Sequence, residues 1–156
     1  MPDLGRAALI LTLGLCAYAL VVGGAAAVLG RRRLALSARN ALYASFASTL
    51  VASAVLWSAF LRDDFSFAYV AGHSSRDLPF AYKLSAFWGG QEGSLLLWLL
   101  VLTAYAALAV WLSRRKARDL VVWVTPVLAG IAGAFAWLLV GVSSPFEVIA
   151  APADGR

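Results

Sequence analysis

A single cysteine and a single histidine in 156 residues leave this chain poor in the side chains that redox and metal chemistry use most. Cys16 lies inside an apolar run, so no internal disulfide and no cysteine cluster for zinc or iron–sulfur can form. It is expected to be a small buried hydrophobe. Leu15 before it departs from the small residue that a lipoprotein cleavage box needs. His73 alone makes at most half of a six-coordinate iron site. Charge is scarce too, at 13% of residues, where a soluble domain carries about a quarter. No second histidine, buried carboxylate pair or phosphate-binding glycine loop is evident, so no catalytic residue is assigned and no metal site is expected.

What is abundant is apolar sequence: 62% hydrophobic residues and a mean hydropathy of +0.82. Four runs, about 7–30, 40–61, 94–113 and 120–142, contain no Asp, Glu, Lys, Arg or His. Each is long enough to cross a bilayer, which takes about 20 residues at 1.5 Å each. Hydrocarbon leaves every backbone polar group to be satisfied internally, so the runs are expected to be helices. The fold class is therefore all-α integral membrane, one module over residues 1–156. The first run is too long for a signal-peptide core and is followed at once by Arg31, Arg32 and Arg33, so it reads as a true span.

The net charge of +5 reflects loop arginines rather than a nucleic-acid surface, and no nucleic-acid partner is expected. Arg31, Arg32, Arg33 and Arg39 follow the first span, and Arg114, Arg115, Lys116 and Arg118 follow the third, against one acid, Asp119. The positive-inside rule makes both loops cytoplasmic. The N-terminus, the segment 62–93 and the tail 143–156 then lie outside. Trp57, Trp88, Trp98 and Trp137 fall near the outer ends and Trp111 and Trp123 near the inner ends, as aromatic belts do. Ladders of small residues (Ala19, Gly23, Ala27; Ala41, Ser45, Thr49, Ser53) mark packing faces. Pro126 is expected to kink the fourth span.

The external segment carries most of the information. FSFAYVA alternates aromatic and small residues, as an extended stretch would, and GHSS reads as a turn. Asp77 before Pro79 reads as the cap region of a short helix. From there Phe80, Leu84, Phe87 and Trp88 share one face, with Lys83 and Gln91 towards water. This pattern predicts an interfacial amphipathic helix on the outer leaflet, ended by Gly89 and Gly90. FWGGQEGS is then a corner where the chain turns into the bilayer, with Glu92 and Ser94 complementing the start of span three. Arg76 and Lys83 are candidate contacts for a ligand or partner there, and His73 is a candidate haem ligand.

The stretch DFSFAYVAGHSSRDLPFAYKLSAFWGGQEGSLLLW and the end SSPFEVIAAPADGR resemble the CcmF family (CycK, with the relative NrfE), the haem lyase subunit of bacterial cytochrome c maturation. The resemblance covers this chain but only the N-terminal part of the family's much longer protein. It implies a multi-pass inner-membrane protein acting on the periplasmic side, with haem as cofactor. It also implies the haem chaperone CcmE, a CcmH-type thiol-redox subunit and apocytochrome c as partners. Many members carry His where this chain has Gln91. The tryptophan-rich WWD segment and the haem-ligating histidines of the family fall beyond the equivalent of Arg156, so haem is expected to be held mainly by parts outside this chain. In that picture Trp88, Gly89, Gly90, Gln91, Glu92, Gly93, Ser94 and Trp98 shape the outer corner. A membrane scaffold or assembly protein with no haem site of its own is the alternative. The polar tail APADGR does not look like a finished end.

Overall fold

The computed structural model describes residues 2–114 and 118–149, with the side chain of Arg118 excluded. Arg115, Lys116 and the tail from residue 150 onward lie outside the described residues. The expected apolar runs form four long helices, α1 (Pro2–Leu29), α2 (Arg32–Leu61), α5 (Gln91–Ser113) and α6 (Arg118–Gly141), with two short ones between, α3 (Ala68–His73) and α4 (Phe80–Ala86). All four long helices have the length and apolarity of membrane spans. The protein is an all-α, multi-pass membrane protein. Its only β feature among the described residues is an isolated antiparallel bridge, Phe67 to Val148.

Around the bundle, α1 packs on α2 and α6, and α5 packs on the same two helices, which puts α1 and α5 on a diagonal. Close approach comes from small residues. On α2 the ladder Ala41, Ser45, Thr49 and Ser53 is buried along its whole length. On α1 the buried face runs through Gly5, Ala8, Thr12, Cys16, Ala19, Gly23 and Ala26. Hydroxyls in these ladders bond to the carbonyls of the preceding turn, as Thr12 to Ala8, Thr49 to Ser45 and Ser53 to Thr49 do. Ser48 instead donates across the interface to the Ala8 carbonyl at 2.7 Å. The helix α6 continues through Pro126, whose ring lies 3.2 Å from where a side chain on Gly23 would begin. All six tryptophans remain exposed on the bundle surface, where lipid and headgroups would meet them.

Several elements depart from the sequence expectation. The loop between the first two spans shrinks to Gly30, at φ +64°, and Arg31; α2 begins at Arg32 and carries Arg39 two turns inside it. Arg, Leu and Ala are good helix formers, so the helix runs on past the apolar stretch. The FSFAYVA stretch is not extended beyond Phe67: from Ala68 it is helical, because its aromatics find a three-dimensional core rather than a sheet. Residues Gly72 and His73 belong to that helix rather than to a turn. Asp77 caps nothing; α4 starts after Pro79, whose fixed φ suits the residue before a helix. Span three starts at Gln91 rather than Ser94, with Gly90 as its cap residue and no side-chain cap.

At the end of α2 the chain reverses through a Schellman arrangement. Asp64 N–H bonds to the Ala59 carbonyl (2.9 Å) and Asp63 N–H to that of Phe60 (3.4 Å). The left-handed position, usually glycine, is Asp63 at φ +53°. Aspartate is among the few residues that tolerate it. The first and last described residues lie on the same side of the bundle as the 62–90 segment, and the stretch up to Ile149 ties them together. Ala68 N–H donates to the Glu147 carbonyl (2.9 Å) and Ile149 N–H to that of Ser66 (3.0 Å). Phe146, nearly buried, packs edge-on against Phe67 at 6.3 Å and lies directly over Gly5, where any side chain would collide with its ring.

Phe146 is thus the plug that joins the first helix, the 62–90 segment and the chain after α6. Phe146→Ala is expected to lower stability by about 3 kcal/mol, the usual loss for a buried aromatic. Thermal melts in detergent check this; an unchanged melting temperature would show that the plug is not part of the cooperative unit.

Candidate functional site

The Tyr69 hydroxyl is the centre of the corner between α4 and α5. Residue 69 sits in the first turn of α3, which points its ring inward from the bridge at Phe67. The ring meets Phe60 of α2 edge-to-face at 5.8 Å and lies against the His73 ring at 4.4 Å. Its hydroxyl donates to the Phe87 carbonyl (3.1 Å), with the Ala86 carbonyl at 3.4 Å, and accepts from Gly90 N–H (3.0 Å). One phenol therefore satisfies a carbonyl at the end of α4 and an orphan amide at the start of α5. Phe87 is buried and packs on Trp57 of α2 at 5.3 Å.

The glycines have distinct roles. A side chain on Gly93 would collide with the Phe87 carbonyl and the Tyr69 hydroxyl. One on Gly90 would begin 2.5 Å from His73 Nε2 and 2.9 Å from the Tyr69 ring. Gly89 is less confined, 3.3 Å from the Ala86 carbonyl. Ser94 does not cap α5; its hydroxyl donates to the Trp88 carbonyl at 2.9 Å. Gln91 and the Trp88 and Trp98 rings are exposed. Glu92 stands in the first turn of α5 and lines a cleft of about 150 Å³ with Ala68, Tyr69, His73, Ser144 and Glu147.

The structure separates the basic candidates. Lys83 does not face open water: its ammonium donates to both Asp63 carboxylate oxygens, at 2.5 and 2.6 Å, with the lysine side chain 11% exposed. This pair pins α4 to the end of α2 and steadies the left-handed Asp63. Arg76 is exposed in the turn before α4. His73 donates from Nδ1 to the Tyr69 carbonyl at 2.9 Å, since a carbonyl can only accept, which leaves Nε2 as an acceptor. That tautomer suits ligation through Nε2, but the surroundings do not suit haem. The cleft is smaller than the roughly 300 Å³ at which small-molecule pockets begin, and Glu92 and Glu147 would oppose haem carboxylates. Among the described residues no group of three His, Cys, Asp or Glu can hold a metal ion.

Sequence reading misses Tyr69, Glu147 and Phe146. The first was detectable had the helix been recognised, because Tyr69 and His73 are four apart. The others meet the corner through a contact some eighty residues away in sequence, for which no local pattern exists.

Burial pushes the Tyr69 phenol up from its ordinary value near 10; the Gly90 and Gly93 amides pull it down, and Glu92 adds to the rise. The unfolded phenol ionises first, so this contribution is complete below about pH 10 and is lost as pH rises towards the folded value. Tyr69→Phe is expected to cost about 1–3 kcal/mol by orphaning Gly90 N–H, and to remove that alkaline decline. Melts of both proteins from pH 8 to 11 test it; a wild-type-to-variant difference that does not shrink above pH 10 would refute the assignment. Gly93→Ala is expected to cost about 1–3 kcal/mol, while Gly72→Ala, which meets open space, leaves the melting temperature unchanged.

No family model matches the chain. Curated relatives and a solved structure do. The chain is 40% identical over 158 residues to the cytochrome c-type biogenesis protein CcmF of Pseudomonas aeruginosa, covering 100% of this chain and 24% of that protein. It is 44% identical over 116 residues to the probable cytochrome c-type biogenesis protein NrfE of Escherichia coli, covering 74% of this chain and 21% of the relative. A solved structure of the cytochrome c haem lyase CcmF superposes with a TM-score of 0.86 at 32% identity, over 96% of this chain and 25% of that one. The chain thus spans about a quarter of the length of the proteins it resembles. It matches the CcmF/CycK/NrfE-type cytochrome c-type biogenesis proteins, in their N-terminal region only.

Proposed function

We propose that this chain is the N-terminal membrane module of a haem lyase subunit, which attaches haem to apocytochrome c. The observation that carries the reading is the end-to-end likeness to a haem lyase structure, which takes in the external corner as well as the spans. The module's role in this reading is positional. The corner from Trp88 to Ser94, with Trp98 below it, holds a fixed surface at one end of the bundle. Tyr69 and Gly93 hold that surface in shape. Haem is held by the remainder of the subunit, because the described residues supply one imidazole and a small acidic cleft.

The concentration of arginines at one end supports an inner-membrane orientation with that end cytoplasmic. The corner and both chain ends then face the periplasm, where CcmE, a CcmH-type subunit and apocytochrome c would meet it. Arg76 is an exposed cation of this surface suited to an acidic partner; Lys83 is committed to Asp63. His73 acts as packing for Tyr69 and Gly90 rather than as an iron ligand. The scaffold reading without haem anywhere in the assembly differs in one observable, the haem absorbance of the purified complex.

Gly90→Val in the full-length protein, expressed in a strain lacking the native copy, is expected to lower holocytochrome c severalfold by haem staining. Membrane levels of the variant are followed by immunoblot. Unchanged cytochrome yield would refute the corner's role. His73→Ala is expected to leave the haem absorbance of the purified assembly intact, and its loss would make His73 a ligand after all.

A further inference from the structure

The opposite end of the bundle holds a larger cavity, about 660 Å³, between α1, α2 and α6. It exists because the walls are built of residues with little to fill it: Gly23, Ala26 and Ala27 on α1, and Ala35 and Ala38 on α2. Four arginines line it, Arg31, Arg32, Arg39 and Arg114, against one acid, Asp119. Among the described residues the only ion pair is Lys83 with Asp63, at the far end of the molecule, so no lining arginine has a carboxylate partner there.

Arg39 is the unusual one. It lies seven residues beyond Arg32 on a continuous helix, about 10 Å further along it at 1.5 Å per residue. Its Nε is buried and has no acceptor among the described residues. A guanidinium whose Nε is a buried donor without an acceptor offers a place for the oxygen of an anion, since an unmet buried donor is expensive. The cavity is also half open and bordered by apolar groups. Leu36 and Trp123 both line it and are exposed on the lipid-facing surface.

We propose that this cavity binds the phosphate of an anionic membrane phospholipid. The phosphate meets Arg39, with Arg31 and Arg114 at the rim, and the acyl chains run out over Leu36 and Trp123. Arginine favours phosphate because its planar donors bond two oxygens at once. The apolar border selects a lipid over a free phosphate ion. Basic pockets between spans are a known physical setting for such headgroups. The inference needs only that the helices span a bilayer, so it stands apart from the haem lyase reading.

The test uses the full-length protein purified from its own membranes and stripped of lipid. Dioleoylphosphatidylglycerol, dioleoylphosphatidylcholine and inorganic phosphate are added separately, and binding is followed by native mass spectrometry and by melting temperature. Phosphatidylglycerol is expected to bind and raise the melting temperature, with phosphatidylcholine and phosphate doing neither. Arg39→Gln is expected to weaken phosphatidylglycerol binding about tenfold, the loss of one charge-assisted contact. Arg33→Gln, an exposed arginine of the same end that does not line the cavity, is expected to bind as wild type does. If Arg39→Gln does not accumulate, Arg114→Gln is measured in its place, with the same weakening expected. Equal binding of the two lipids, stabilisation by phosphate alone, or unchanged binding in the cavity variants would each overturn the proposal.

Discussion

The near contact of the Gly93 backbone with the Phe87 carbonyl and the Tyr69 hydroxyl is the constraint on which the corner end of this protein depends. A chain leaving a surface helix and entering a bilayer has two polar problems at once. The last carbonyls of the first helix and the first amides of the second both lack partners. Water could serve them at a simple loop. Here Phe87 is buried and the turn is tight, so a protein group has to do it. Tyr69 does both with one hydroxyl, donating to one side and accepting from the other. Only glycine at position 93 allows α5 to come close enough.

That arrangement also explains why the 62–90 segment is ordered without a sheet or a long helix of its own. α3 and α4 have six and seven residues, too short to be stable alone in water. They hold because each is clamped to a long helix. Phe60 meets Tyr69, Trp57 meets Phe87, and Lys83 holds Asp63. The chain after α6 closes the remaining side through Phe146 and the backbone bridge. Four stretches that are distant in sequence thus share one small core.

The spans were legible because a bilayer imposes a length and an absence of charge that can be read residue by residue. At the glycine-rich corner the constraint is close approach rather than a left-handed turn, because a side chain on Gly90 or Gly93 would strike His73, Tyr69 or the Phe87 carbonyl. What could not be read was whatever depended on a distant partner. FSFAYVA looks extended by its alternation, yet Tyr69 and Val70 are buried in a helix because Phe60 and the chain near Phe146 are there to receive them. Lys83 looks like a solvated side chain on an amphipathic helix until Asp63, twenty residues earlier, is brought beneath it. The loop of arginines looks like a loop because charge ends the apolar run. Helix propensity is indifferent to that boundary, so α2 extends through it and takes Arg39 inside.

The two ends of the bundle are therefore closed by different means. At the corner end, aromatic rings and backbone groups find partners within the chain, and opposite charges lie close enough to pair. At the arginine end the described side chains near the cavity are mostly of one sign, and like charges in a low-dielectric setting hold apart rather than pack. The small residues that let α1 and α2 approach each other in mid-membrane leave empty volume once the helices reach this level. A cavity with unmatched positive charge follows from those two facts together. It follows also that, in the proposed reading, whatever completes this end brings negative charge with it, whereas at the other end Lys83 already has its partner in Asp63.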